Sequence, residues 1–343
     1  MRTFPDFPRF VLSSFISALS HNRTNNCIWE LTYRCNARCD ICSYWRNPTD
    51  AEMELNLADL RVGLDKIYQS GCRFVNFSGG EPTLRDDLED IISHASGRGF
   101  WTSIVTNGSL LDRHRIDQLK KAGLDNLFVS LDFVDGQKHD ELRGIDGLYD
   151  KVIDSLIYLG EKFTTGHRTA GILCVISKLN SDVLKELVEL AKKLRVYIVF
   201  QLYHNRKTQE KAFNADEVLE IAAALMKLKK SHWNLISSKV YLARMVDYRD
   251  NTLPTCFAGI KYFSIDPYGY LHPCVDLPSV GHVLRDDISV IRAPQALEFV
   301  RKCSGCWYCF RGEADVSFSI SGCVNKIFQH GRIILSNCVK RDA

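Results

Sequence analysis

Between residues 27 and 202, short apolar runs alternate with longer segments of helical periodicity, and that alternation leaves few folds open. Runs at 27–33, 73–78, 101–106, 127–132, 169–176 and 197–202 read as strands. The segments 57–70, 88–97, 112–122, 149–163 and 181–194 read as helices between them. Strand–helix repetition of this kind builds a parallel sheet covered by helices. The fold expected is α/β, an open, partial (β/α)6 TIM-like barrel with its functional groups at the carboxyl ends of the strands. A closed eight-stranded barrel lacks room before the C-terminal thiols begin.

Directly after the first run comes Cys35-Asn36-Ala37-Arg38-Cys39-Asp40-Ile41-Cys42, three thiols spaced C-x3-C-x2-C. A loop this short can wrap three thiolates around one metal centre, and no further Cys or His follows until Cys72. Three soft ligands on a four-iron cluster leave one iron open. A structural zinc site would want its fourth ligand close by. Zinc and unrelated buried thiols stand as the alternatives. Gly79-Gly80-Glu81-Pro82 follows the second strand, where two glycines allow a tight turn and a close backbone approach to a ligand. The remaining strand ends carry Thr106, Asn107, Ser130, Asp132, Ser177, Asn180, Gln201 and His204.

The three thiols, with Tyr44 and Trp45 just past them and Gly79–Pro82 downstream, resemble the radical S-adenosylmethionine superfamily over roughly residues 26–210. The resemblance implies a catalytic [4Fe-4S] cluster on Cys35, Cys39 and Cys42, with S-adenosyl-L-methionine on its open iron. It places Tyr44, Gly79, Gly80, Glu81, Pro82, Thr106 and Asn107 on the cofactor, the Gly-Gly-Glu-Pro backbone and acidic side chain receiving its amino group. Ser130 and Asp132 would lie near its ribose or carboxylate, Arg143 near the carboxylate, and Val175 and Ile176 near the adenine. An external low-potential electron donor such as flavodoxin or ferredoxin is implied as a partner.

A second cysteine field begins at Cys256. Residues 262–266 and 270–272 form a hairpin pattern turning at Pro267-Tyr268-Gly269, which would bring Cys256 and Cys274 together. A helix over 295–301 then delivers Cys303, Cys306 and Cys309. Two of that trio complete a four-cysteine site, and zinc is the competing occupant. The stretch 251–323 resembles the SPASM and twitch extensions that carry auxiliary clusters, although C-x2-C-x2-C stands where a full SPASM domain has another block. One auxiliary [4Fe-4S] cluster is favoured over two, with Cys323 as a further candidate ligand and Cys338 left free. Cys27, Cys72 and Cys174 read as inert buried thiols.

Residues 1–25 read as an amphipathic N-terminal extension, 26–210 as the barrel, 211–250 as a helical linker and 251–343 as the auxiliary-cluster domain. In all 343 residues there are 13 cysteines and a formal charge of +3, with Lys and Arg scattered. Nucleic acid is not expected as a partner. No run approaches a membrane span, and clustered thiols without a secretory signal suit a reducing cytoplasm. Peripheral membrane contact through residues 1–25 is the one membrane option. The expected activity is cleavage of S-adenosylmethionine and hydrogen abstraction from a small biosynthetic molecule, for oxidation or carbon-skeleton change. The alternatives are a maturase of ribosomal peptides and an enzyme acting on a lipid precursor. The peptide reading ranks lower because only 34 residues precede Cys35, no room for an N-terminal recognition domain.

Overall fold

The computed structural model describes residues 24–46, 49–203, 208, 213–245, 256–303, 306–308, 313 and 337. The N-terminal extension up to residue 23, His204, Cys309, Cys323 and Cys338 lie outside them. Six strands follow the expected order: β1 (Asn26–Thr32), β2 (Phe74–Gly79), β3 (Trp101–Thr106), β4 (Asn126–Ser130), β5 (Thr169–Ile176) and β6 (Tyr197–Leu202). The helices are α1 (Leu57–Gln69), α2 (Leu88–Arg98), α3 (Arg113–Ala122), α4 (Gly136–Arg143), α5 (Leu148–Tyr158), α6 (Leu184–Lys193), α7 (Ala215–Ser231), α8 (Lys239–Ala243) and α9 (Pro294–Arg301). Their ends follow local chemistry. Asn56, Asp112 and Asp135 cap α1, α3 and α4, and left-handed Gly99, Gly123 and Gly144 close α2, α3 and α4.

The strands lie in the order β6-β5-β4-β3-β2-β1-β7-β8-β9, where β7 is Tyr262–Ile265, β8 Tyr270–His272 and β9 Gly281–His282. All the pairings from β6 to β1 are parallel, as a partial (β/α)6 barrel requires. The C-terminal hairpin does not form a separate layer. Strand β7 adds to the free edge of β1, also in parallel, with Asn26 opposite Tyr262 and Trp29 opposite Ile265. The sheet therefore runs unbroken from the barrel into the cysteine-rich region.

Register sorts the side chains into two faces. Cys27, Val75, Phe263, Trp29, Phe77, Ile104, Leu127, Ala170, Ile172, Ile198, Cys174 and Phe200 share one face and one core cluster beneath the helices. The opposite row holds Ile28, Asn76, Ser78, Val105, Asn126, Phe128, Val175, Val199 and Gln201, all half-buried. Parallel strands covered on both faces read as continuous apolar runs. Here they alternate, because the inward face is half-exposed and mixes polar side chains with apolar ones. Among the described residues no helix is long and apolar enough to cross a membrane.

Helix α1 seats on β1 through a glycine. A Cβ at Gly63 would stand 2.6 Å from the ring of the fully buried Trp29. Gly63→Val should therefore destabilise the fold by about 1–3 kcal/mol through overpacking. Urea denaturation monitored by circular dichroism checks this, and an unchanged midpoint would show that Trp29 has room to move.

Candidate active site

The chain leaves β1 at Thr32 and enters the three-thiol loop at the carboxyl end of the sheet. Its position is fixed by the turn after β2. Gly80 N donates to Thr32 O at 2.7 Å and Glu81 N to Arg34 O at 2.8 Å. A Cβ on Gly79, whose φ is +117°, would lie 2.3 Å from Thr32 O, and one on Gly80 would lie 2.2 Å from Arg34 O. The thiol loop thus comes so close to both glycines that neither has room for a side chain.

Glu81 extends the same turn. Its carboxylate is buried and accepts four hydrogen bonds: Thr83 N at 3.0 Å, Thr83 Oγ1 at 2.6 Å, Thr106 Oγ1 at 2.6 Å and Asn107 N at 2.7 Å. Three of the donors converge on Oε1 and one on Oε2, so Glu81 braces Thr83, Thr106 and Asn107 while Oε2 keeps an acceptor site. Asn107 Nδ2 continues the brace to Asn36 Oδ1 at 2.9 Å, inside the loop. Pro82 is buried at the start of the turn Pro82–Leu84. On the other flank Arg85 donates to Leu31 O and Leu55 O and pairs with Glu54, which also takes Arg34.

Helix α4, absent from the sequence reading, supplies the third support. Arg38 N donates to Arg143 O at 3.0 Å and Asp40 N to Leu142 O at 3.1 Å. The Asp132 side chain is fully buried. It accepts Arg143 Nε at 2.8 Å and Val175 N at 2.9 Å, and takes Arg143 Nη2 as well. Of the residues expected around the cofactor, Ser130 and Val175 lie on the inward face. Ile176 points to the helix side and packs in the core, because it alternates with Val175 along β5.

Tyr44 donates to Glu30, a carboxylate in the middle of β1 that also takes Tyr33 OH at 3.3 Å. Tyr33 stacks on Tyr44 and meets Tyr268 edge-on, so the thiol loop touches the C-terminal hairpin. Glu30 was legible as a lone charge in an apolar strand, yet its role needed the tyrosines in place.

The donor set fits an iron–sulfur centre. Burial, with small contributions from Glu81, Cys39 and Cys42, pushes the Cys35 thiol up to about 12. Burial raises Cys39 too, with the Arg143 charge opposing. Thiols so desolvated ionise when a metal takes the proton's place. Among the described residues no three His, Cys, Asp or Glu side chains lie close enough to hold a single metal ion.

In the second field, Cys256, Cys274 and Cys306 gather around the buried Tyr262. Its phenol is pushed up first by burial and then by those three thiols, and its oxygen lies 2.9 Å from Cys256 Sγ. Trp307 stacks on Tyr241 and donates to Tyr241 O at 3.1 Å, anchoring the residue after Cys306. Cys303 is half-buried just past α9. Tyr262 was missed as a site residue because it read only as a hairpin position.

The sequence pattern of the Radical SAM superfamily matches residues 29–191. An Fe-coproporphyrin III synthase from Methanosarcina barkeri is 32% identical over 45% of this chain and 40% of its own length. A PqqA peptide cyclase from Granulibacter bethesdensis is 28% identical over 71% of the chain and 66% of its own. The chain thus spans less than two thirds of either relative. Among solved structures, Streptococcus suis SuiB bound to precursor peptide SuiA shares the fold with a TM-score of 0.69, 16% identity, and coverage of 86% of this chain and 70% of that one.

Two outcomes are expected from these contacts. Gly80→Ala should displace the thiol loop, lowering stability by about 1–3 kcal/mol and the iron retained after anaerobic reconstitution. Full iron loading with an unshifted melting curve would refute this. Separately, burial and then the Arg143 charge pull the imidazole of His139, in α4, down from 6.5 to about 4. The unfolded chain takes up that proton below about pH 6.5 and the folded one only near 4. The contribution is therefore whole above pH 6.5 and is lost as pH falls through that window. Between pH 7 and pH 5 the loss should be about 2 kcal/mol by urea titration, and His139→Gln should flatten it.

Proposed function

The chain belongs to the Radical SAM superfamily, and on that premise we propose that it is a maturase that modifies a peptide at the mouth of the barrel. Cys35, Cys39 and Cys42 would hold a [4Fe-4S] cluster with one iron left for S-adenosylmethionine. When bound, that pair supplies one-electron cleavage of the sulfonium and a 5′-deoxyadenosyl radical able to take hydrogen from an unactivated carbon. The chain's part is to fix the loop, exclude water and orient the substrate. The Glu81 brace and the α4 carbonyls do the first. The inward face below the loop does the last, with Val175 and Phe128 as its apolar ground and Asn76, Ser78 and Gln201 as neutral hydrogen-bonding groups.

The observation that carries the reading is the placement of three thiols at the carboxyl end of the sheet, beside a half-buried face that carries Asn76, Ser78 and Gln201. Amide and hydroxyl groups that both donate and accept match the N–H and C=O groups of a peptide. The expectation of a small molecule in preference to a peptide is corrected by the relatives. PqqA peptide cyclases recur among them, at 24–28% identity over 71–82% of this chain, and SuiB is solved with a precursor peptide. The physical reason is that amide and hydroxyl side chains on the inward face can pair with the backbone of an extended segment. Cys256, Cys274 and Cys306 would form the described part of one auxiliary [4Fe-4S] site, serving electron transfer after hydrogen abstraction.

With dithionite as reductant, reconstituted enzyme should convert S-adenosylmethionine to methionine and 5′-deoxyadenosine. Cys39→Ala should lower that rate at least a hundredfold, and wild-type turnover in this variant would remove the ligand assignment. The substrate class is read by incubating the enzyme with uniformly deuterated cell extract. Deuterium in 5′-deoxyadenosine that vanishes after protease treatment of the extract supports a peptide, whereas label that survives the protease overturns it.

A further inference from the structure

The groups that face Cys39 come from the end of one helix. The last carbonyls of α4 take the amides of Arg38 and Asp40, at 3.0 Å and 3.1 Å, and so engage two donors of the thiol loop. Hydrogen bonds and charge near ligating sulfurs are principal levers on the potential of an iron–sulfur centre. Two groups of Arg143 reach Cys39 Sγ, the guanidinium with Nη1 at 3.8 Å and the backbone carbonyl oxygen at 3.9 Å. Gly144, at φ +65°, permits the close seat, since a Cβ there would lie 3.2 Å from Arg38 Cβ. Asp132 holds the guanidinium from behind through Nε and Nη2. The Arg143 side chain is 9% exposed and that of Asp132 0%, so solvent screens neither charge effectively.

We propose that Arg143 is a positioning residue that sets the reduction potential of the centre held by Cys39, and that Asp132 moderates its effect. The inference rests on the reading of Cys35, Cys39 and Cys42 as cluster ligands. An added electron places negative charge beside Cys39. A fixed cation there favours the reduced state and a fixed carboxylate opposes it. The two side chains therefore pull in opposite directions through a single thiolate.

The test is an EPR-monitored reductive titration of the anaerobically reconstituted full chain without S-adenosylmethionine. The catalytic signal is identified as the one that Cys39→Ala lacks. Arg143→Gln should make the potential more negative and Asp132→Asn less negative, each by at least a tenfold change in the reduction equilibrium, 59 mV for one electron. Arg143→Lys, which keeps the charge, should stay within threefold of the parent. A loop merely loosened by substitution would not give shifts of opposite sign. Should Arg143→Gln retain no iron, the near-isosteric Asp132→Asn decides alone. Shifts below threefold overturn the inference, as do shifts of the same sign. Weakened cofactor affinity at an unchanged potential would assign Arg143 to the cofactor instead. A Cys39→Ala spectrum with no signal missing relative to the parent overturns the ligand reading and this inference with it.

Discussion

The Glu81 carboxylate sits out of reach of water, where an anion is tolerated only if its lone pairs are answered by donors. Burial alone raises its pKa, and the donors from Thr83, Thr106 and Asn107 pull it back. In taking those donors the carboxylate ties the turn after β2 to the end of β3. The backbone of Gly80 and Glu81 ties the same turn to the exit of β1. The buried charge thus joins β2 to β3, the adjoining backbone joins β2 to β1, and the thiol loop is the segment held between them.

Much of the architecture could be read before any coordinates, for a physical reason. A strand that buries one face and a helix that buries one stripe print their periods on the chain, and β1 to β6 do so plainly. Helix α4 escaped because Gly136-Gln137-Lys138-His139-Asp140-Glu141-Leu142-Arg143 has almost no apolar stripe. It forms through the Asp135 cap, the Gly144 stop and its contacts with the thiol loop. The union of β7 with β1 was also out of reach, since pairing between distant strands leaves no local period.

The site was legible in kind more than in role. Spacing alone marked the thiols and the glycine pair, but a glycine announces only that something comes close, not what. Here the thing that comes close is the chain's own backbone. Asp132 likewise read as a polar group at a strand end and Arg143 as a cation before Gly144, both directed to a cofactor. Folded, they meet each other and Cys39, and the electrostatics of the loop follow from that pairing. Val175 and Ile176 show the same limit in miniature, since neighbours along a strand must face opposite ways.

The ladder from Asn26–Tyr262 to Trp29–Ile265 makes the two thiol fields parts of a single stiff body. Their separation is a property of strand spacing, about 4.8 Å per step across a sheet, and not of the chain that connects them. Lengthening the stretch between β6 and Cys256 would therefore leave the gap between the fields unchanged. Spacing between the two fields is thus a property of the sheet, which insertions elsewhere in the chain do not reach.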